Sequence, residues 1–234
     1  MINGKSVLGI IPARGGSKGI PKKNIQNVAG CPLIAWTIKS AAESTILDRV
    51  IVSSNDPEVI AIARESGGDV PFRRPERLAS DDTPALEVLR HAVDALDRRY
   101  DLVVWLQPTS PLRTAADVDG AIRTCVETGA PACISVAPAS QAPYLMMAMD
   151  EGARLQPLLD AKGATRRQDL PDAYIINGAV YVAETDYVLE RGSFLTERTI
   201  GYVMPRERSI DIDDPLDLRI ASFLLADAVG GTAG

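Results

Sequence analysis

Short apolar runs alternate with amphipathic segments along almost the whole chain, and this alternation constrains the fold more than any other feature. Residues 6–11 (SVLGII), 49–54 (RVIVSS), 102–106 (LVVWL), 133–138 (CISVAP), 173–183 (AYIINGAVYVA) and 200–205 (IGYVMP) read as strands. Between them, helix-period patterns occupy 31–44, 56–68, 82–99 and 114–129, and a last one closes the chain at 214–230. The helix starts are signalled by Asp56 before Pro57, by Thr114, and by Asp214 before Pro215, while Gly67 ends the second helix. In the first helix Leu33, Ile34, Ile38 and Ala41 share one face. Strands alternating with helices predict an α/β fold: three layers, with a mostly parallel sheet covered by helices on both faces.

The 234 residues suit a single domain, residues 1–229, with the last five frayed. Residues 137–172 break the pattern: rich in Pro, Gln and Met and ending in a charged TRRQD, they read as an excursion serving as a lid or oligomer arm. Apolar residues make up 46% of the chain, enough for a sizeable core. The net charge of −6 argues against nucleic-acid binding, and no apolar stretch is long enough to span a membrane. Cys31, Cys125 and Cys133 have neither disulfide parity nor metal-type spacing, which predicts a reducing cytoplasm. The first apolar run is too short for a secretory signal.

Against that acidic background, every charged side chain before Glu43 is basic: Lys5, Arg14, Lys18, Lys22, Lys23 and Lys39. Most of them lie in IPARGGSKGIPKKN, residues 11–24, directly behind the first strand. Ligands of open α/β sheets bind beyond the carboxyl ends of the strands, so this loop sits where a site is expected. Gly15, Gly16 and Gly19 permit close backbone approach, successive N–H groups can form an anion nest, and Arg14, Lys18 and Lys23 add charge. The combination suits a polyphosphate, although neither GxxxxGK[ST] nor GxGxxG is present.

Other constellations lie where later strands end. Gln107, in LQPTSPLR, is a polar amide on a Pro-stiffened loop, a suitable substrate-orienting group. In SIDIDD, Asp211 and Asp213 are two residues apart, so both carboxylates can face one ligand while Ile212 turns to the core. Two hard oxygen donors suit Mg²⁺, which keeps waters and bridges substrate phosphates. The stretches 73–82 (RRPERLASDD) and 166–181 add Arg74, Ser80, Arg167, Asn177 and Tyr181. His91 lies among Leu86, Leu89, Val93 and Leu96 with no nucleophile or metal-ligand pattern around it, so it reads as structural.

Taken together, IPARGGSKGIPKKN, RPERLA, LQPTSPLR, RQDLP…NGAVY and SIDIDDPLDL resemble the acylneuraminate cytidylyltransferase family, in that family's order and over nearly the whole chain. The resemblance implies a nucleotide-binding fold of the nucleotide-diphospho-sugar transferase type with a small dimerisation excursion, and hence a homodimer. It implies that the anomeric hydroxyl of a nonulosonic acid attacks the α-phosphorus of CTP, giving a CMP-sugar for cell-surface polysaccharide synthesis and pyrophosphate. Arg14, Gly15, Ser17, Lys18, Lys23, Asn24, Arg74 and Ser80 would bind the nucleotide, with Arg14 and Lys23 stabilising charge on the leaving group. Asp211 and Asp213 would bind Mg²⁺, and one of them would assist deprotonation. Gln107, Arg167, Asn177 and Tyr181 would line the sugar site, with Arg167 suited to the sugar carboxylate and Phe194 as an apolar wall for an N-acyl group. Many sialic-acid members carry a Lys where this chain has Tyr144 and Leu145, so legionaminate is as compatible as N-acetylneuraminate. The alternatives are a KDO-type or other sugar nucleotidylyltransferase and a non-catalytic nucleotide-binding module.

Overall fold

The computed structural model describes residues 1–17, 19–159 and 171–230. The first half of the chain forms β1 (Val7–Pro12), β2 (Asn27–Val28), β3 (Cys31–Pro32), α1 (Leu33–Ala42), β4 (Arg49–Ser53), α2 (Pro57–Glu65), α3 (Ala85–Asp94) and β5 (Leu102–Trp105). Then follow α4 (Ala115–Thr128), β6 (Ala132–Pro138), β7 (Met147–Met149), β8 (Leu155–Pro157), β9 (Tyr174–Glu184), α5 (Thr185–Arg191), β10 (Thr199–Val203) and α6 (Pro215–Gly230). A six-stranded sheet has the order β10-β6-β9-β5-β1-β4. All its strands run in one direction except β9, which is antiparallel to both β5 and β6.

Strand alternation feeds two cores. Val7 and Ile11 of β1 join α1, α2 and α4 through Ile34, Ile38, Val59, Ala63, Val118 and Ile122. Leu8 and Ile10 point the other way, to Val88, Leu89 and Ala92 of α3 and Val188 of α5. A strand buried on both faces reads as a continuous apolar run, which is why VLGII shows no polar alternation. The helix starts are capped as the sequence predicts. Asp56 accepts from the backbone N–H of Glu58 and Val59, Thr114 and Asp117 form a reciprocal capping box, and Asp214 accepts from Leu216 and Asp217.

Several expected boundaries differ. Helix α1 begins at Leu33, because Cys31 and Pro32 pair with Asn27 and Val28 in a small hairpin. Helix α3 is confined to Ala85–Asp94, entered through Pro84. Helix α5 has no counterpart in the sequence reading. The connection before β9 passes through the β7–β8 hairpin, and among its described residues no α-helix occurs of the kind that carries a chain across to a parallel position. Reversal brings the first residues of β9, including Asn177 and Gly178, to the edge where β1, β5 and β6 end.

A third cluster joins Ile20, Val28 and Leu33 to Ile212, Ala221 and Leu225, and so packs α6 and the 211–213 segment over the cationic loop. Ile212 is fully buried, as its alternation with two aspartates predicts. The segment is fixed from the other side by Arg208, whose Nε and Nη2 donate to Asp117 Oδ2 and Oδ1 at 2.9 and 2.8 Å. Burial alone would push the Asp117 carboxyl up, but Arg208 and Thr114 hold it below its ordinary value. Arg208→Gln leaves a buried carboxylate with the Thr114 contacts alone. With Arg208 about one-third exposed, the expected loss is about 2 kcal/mol, or a fall in Tm of about 4–8 °C by thermal denaturation at neutral pH. A depressed carboxylate stabilises the fold above its unfolded pKa and loses that contribution as pH falls, so the Tm gap between the proteins narrows in acid.

Candidate active site

At the carboxyl ends of β1 and β5 the chain has gone from β1 out to β4 and back past β1 to β5, and a crevice is expected at such a reversal. A 460 Å³ cavity lies there, lined among others by Arg14, Gly16, Ser17, Lys23, Asn24 and Gln107. The loop that builds it is rigidly entered: Lys22 adopts a left-handed conformation (φ 51°) and starts a 3₁₀ turn over Lys23–Ile25. Asn24 Nδ2 donates to the Arg14 carbonyl at 2.8 Å and ties the two ends of the loop together. Gly19 is required by proximity, since a Cβ there would sit 2.6 Å from the Asp213 carbonyl oxygen.

The cationic loop and the aspartate segment meet through Lys23. Its Nζ, on a side chain only 15% exposed, donates to the Ile212 carbonyl at 2.6 Å and lies 3.4 Å from Asp213 Oδ1. Asp213 lines the nucleotide-sized cavity, whereas Asp211 lines a second, 610 Å³ cavity behind it, so the pair straddles two cavities where one ligand was expected. Asp211 Oδ1 is buried and has no hydrogen-bond partner. Burial, and after it the neighbouring Asp213 charge, raise the Asp211 pKa despite opposing contributions from Thr109 and Lys23. Between Gln107, which lines the first cavity, and Asp211, which lines the second, lies Gly178 (φ 71°). A Cβ on it would be 2.8 Å from both Asp211 Oδ2 and Gln107 Oε1 and 3.1 Å from Ser110 Oγ, so glycine alone lets these groups converge.

The remaining expected residues divide. Arg14 faces the cavity, with Nη1 donating to the Ser80 carbonyl at 2.9 Å and Nη2 2.6 Å from Asp81. Arg74 lines the same cavity but is almost wholly buried, donating to Ser53 and Leu78; burial, then Arg14, push its pKa down to about 10. Ser80 lines the cavity with its hydroxyl 2.7 Å from Thr83 Oγ1. Gly15 does not line it, because its N–H donates to Asn55 Oδ1 at 3.1 Å. Asn177 borders the second cavity, but its amide is committed to Ser135, Ala179, Ser209 and Met204, which makes it a positioning group for the residues before Asp211. Tyr181 and Phe194, ring centroids 5.7 Å apart, line a third, apolar cleft that shares Ala85 with the first cavity and Ile176 with the second. Lys18 and Arg167 lie outside the described residues. His91 packs edge-on against Phe72 at 4.9 Å, in keeping with a structural role.

Sequence reasoning missed Arg113. Fully enclosed, it donates to the Gln107 carbonyl (3.2 Å), the Ala179 carbonyl (2.7 Å) and Thr37 Oγ1 (2.7 Å), and burial pushes its pKa down to about 9. It thus fastens the Gln107 loop to β9 and α1. The signal available was a cation closing the otherwise uncharged stretch LQPTSPLR.

The unpartnered Asp211 oxygen has a stability consequence. Because the folded-state pKa is raised, ionising Asp211 at neutral pH costs folding free energy, a cost absent at low pH and incurred as pH rises through that pKa. Asp211→Asn is therefore expected to raise the Tm of metal-free protein by about 2–4 °C at neutral pH, from removal of about 1 kcal/mol, with the gap closing in acid.

A family model described as cytidylyltransferase matches residues 8–159. A CMP-N,N'-diacetyllegionaminic acid synthase of Legionella pneumophila is 34% identical over 227 residues, covering 94% of this chain and 96% of that protein. An N-acylneuraminate cytidylyltransferase of Escherichia coli is 31% identical over 216 residues, covering 92% of this chain and 51% of that protein. Among solved structures, a CMP:2-keto-3-deoxy-manno-octonic acid synthetase complexed with CTP superposes with a TM-score of 0.71 at 18% identity, over 95% of this chain and 99% of that one, which establishes the shared α/β fold. With its cationic glycine loop drawn onto an aspartate pair across the mouth of a parallel-sheet crevice, the chain belongs to the cytidylyltransferase family.

Proposed function

We propose that the protein activates a nonulosonic acid with CTP, forming the CMP-sugar and pyrophosphate. The observation that carries this reading is the contact of Lys23 with Ile212 and Asp213, which places a triphosphate-sized cationic cavity against a carboxylate pair and a second cavity. The relatives' names supply the substrate class: legionaminic and N-acylneuraminic acids. Full-length similarity to a legionaminic acid synthase and to a pseudaminic acid cytidylyltransferase favours a sugar of the legionaminate or pseudaminate type.

In this reading CTP lies along the 460 Å³ cavity, with its phosphates on the loop amides, Arg14 and Lys23. The sugar acid enters the second cavity, and its anomeric hydroxyl attacks the α-phosphorus across the Gly178 junction. The new O–P bond forms as the bond to the bridging oxygen of pyrophosphate breaks, and one of the two carboxylates takes the hydroxyl's proton. Lys23 and Arg14 neutralise charge gathering on the pyrophosphate. Holding both anions in line accounts for most of the rate enhancement in this class of chemistry.

Asp211 and Asp213 are the residues that would hold Mg²⁺. The unpartnered Asp211 oxygen and the raised proton affinity of its carboxyl fit a cation there. No group of three or more His, Cys, Asp or Glu suited to a metal occurs among the described residues. Two carboxylates completed by water and substrate phosphate suit Mg²⁺, which when bound supplies positive charge beside the reacting phosphate.

We also assign the protein to a homodimer in a reducing, cytoplasmic setting where CTP is present. The β7–β8 hairpin, the 3₁₀ turn before it and the start of β9 leave Leu145, Met147, Met149, Leu155, Tyr174 and Ile175 exposed, an apolar face suited to a second copy. The three cysteines are free, and burial pushes the Cys125 and Cys133 thiols up to about 11 and about 12. No described helix is long and apolar enough to cross a membrane.

Pyrophosphate release should require CTP, Mg²⁺ and a nonulosonic acid; absence of release with sialic, legionaminic, pseudaminic and KDO acids alike would overturn the reading. Lys23→Ala is expected to lower kcat about 10²–10³-fold, and full activity in that variant would remove the role given to it. Sedimentation should show a dimer that Met149→Glu with Leu155→Glu converts to monomer; an unchanged mass would place the interface elsewhere.

A further inference from the structure

The first bond that the cationic loop makes after Arg14 leads away from the nucleotide cavity. Gly15 gives its N–H to Asn55 Oδ1 at 3.1 Å, and neither residue lines the cavity. The next two residues, Gly16 and Ser17, both line it, and their N–H groups make no hydrogen bond among the described residues. Consecutive backbone amides left free beside a cavity are suited to phosphate oxygens.

Asn55 lies just beyond β4 and before Asp56, the cap of α2. Gly15 packs so closely there that a Cβ on it would collide with the Asp56 side chain. The Asn55 amide has one workable orientation. Its oxygen accepts from Gly15, and its Nδ2 donates to Glu76 Oε2 at 2.8 Å; exchanging the two would set donor against donor and oxygen against carboxylate. Glu76 Oε1 accepts from Arg73 Nη2 at 3.0 Å, and Arg73 Nε donates to the Asn55 carbonyl at 2.8 Å, which closes a ring. Glu76 also opens the 3₁₀ turn Glu76–Leu78, after which Ser80 follows, and Leu78 and Ser80 line the same cavity as Gly16 and Ser17. This second wall has its own anchorage: the Arg74 N–H donates to the Ser54 carbonyl at 2.8 Å, and its buried guanidinium donates to Ser53. Asn55 therefore ties a glycine-rich loop to a wall that is already fixed. Arg14 joins loop and wall as well, through the Ser80 carbonyl, but in the proposed reaction its guanidinium is drawn to the phosphates. The Asn55 link lies outside the cavity and need not open for a nucleotide to enter.

We propose that Asn55 is a positioning residue for the nucleotide: by taking up the Gly15 N–H it sets the Gly16 and Ser17 amides for the CTP phosphates. The inference rests on the proposed cytidylyl transfer for the identity of the nucleotide, and it adds a residue that none of the sequence motifs contains. Asn55 acts through the loop, so it governs the affinity for CTP and leaves that for the sugar acid alone.

The test is calorimetric titration of CTP in the presence of Mg²⁺, with steady-state pyrophosphate release alongside. Asn55→Ala should weaken CTP binding about tenfold and leave KM for the sugar acid unchanged. Asn55→Asp keeps an acceptor for Gly15 but sets a carboxylate against Glu76, so it should weaken CTP binding at least as much. Asn55→Asp with Glu76→Gln reverses donor and acceptor across the link while keeping both bonds and the net charge, and should return CTP affinity to within about threefold of wild type. Glu76→Gln alone still offers Asn55 an acceptor and should stay near wild type, so recovery in the double variant reports the hydrogen bonds. Wild-type CTP affinity in Asn55→Ala, or a double variant no better than Asn55→Asp, would overturn the inference. So would equal rises in Kd for CTP and in KM for the sugar acid, which mark general damage to the fold. If wild type binds CTP but releases no pyrophosphate with any acid, the functional reading fails, and the CTP affinities of the variants still decide the role of Asn55. A wild type that does not bind CTP overturns both.

Discussion

The site depends on one contact between residues 189 positions apart: the Lys23 ammonium donating to the Ile212 carbonyl beside Asp213. A flexible cationic loop has no reason to hold one shape, because its charges repel one another and its glycines leave the backbone free. Lys23 gives it a fixed terminus. The contact is backed by apolar packing, since Ile20 and Ile212 share a small core with α6. Gly19 then approaches the Asp213 carbonyl so closely that no side chain fits. Polar contact, apolar contact and close backbone approach thus bring the first and last functional segments together.

Around that contact the protein uses arginines to position the site. Arg113 fastens the Gln107 loop to β9, Arg208 fastens the aspartate segment to α4, and Arg74 braces the end of β4 beneath the nucleotide cavity. Arg113 and Arg74 direct their hydrogen bonds to carbonyls and hydroxyls instead of carboxylates, and burial pushes both down, to about 9 and about 10. Desolvating a guanidinium is costly. That cost leaves positive charge at the first cavity, which Arg74 lines, while Asp213 and Asp211 border the first and second cavities. Asp211 shows the converse strain: a buried acid with an unpartnered oxygen, unfavourable by itself and suited to a cation.

Much of the fold was legible because its signals are local. The period of the apolar residues distinguishes strand from helix, and Asp56, Thr114 and Asp214 cap their helices by contacts within a few residues. The reversal of β9 was not legible. Its sequence, YIINGAVYVA, carries no direction, and antiparallel pairing follows from how the preceding 35 residues return to the sheet. The site residues divide in the same way. Arg14, Lys23, Gln107, Asp211 and Asp213 stand at strand ends, where topology brings any parallel sheet's functional groups, and all five border the two cavities. Asn177 and Gly15 stand there too, but their polar groups are taken up by Ser209 and Asn55, a matter of neighbours that no spacing reveals.

By itself, then, the sequence determined the layer architecture, the cationic, glycine-rich character of the first loop and the carboxylate pair, because hydrophobic period, glycine freedom and formal charge are properties of residues in order. Only the tertiary structure decided that Asp211 and Asp213 face different cavities and that Gly178 is the point where Gln107 and Asp211 converge. Those outcomes depend on distances between segments far apart in the chain, and such distances are set by the register of β9 against β5 and β6 and by the packing of α6.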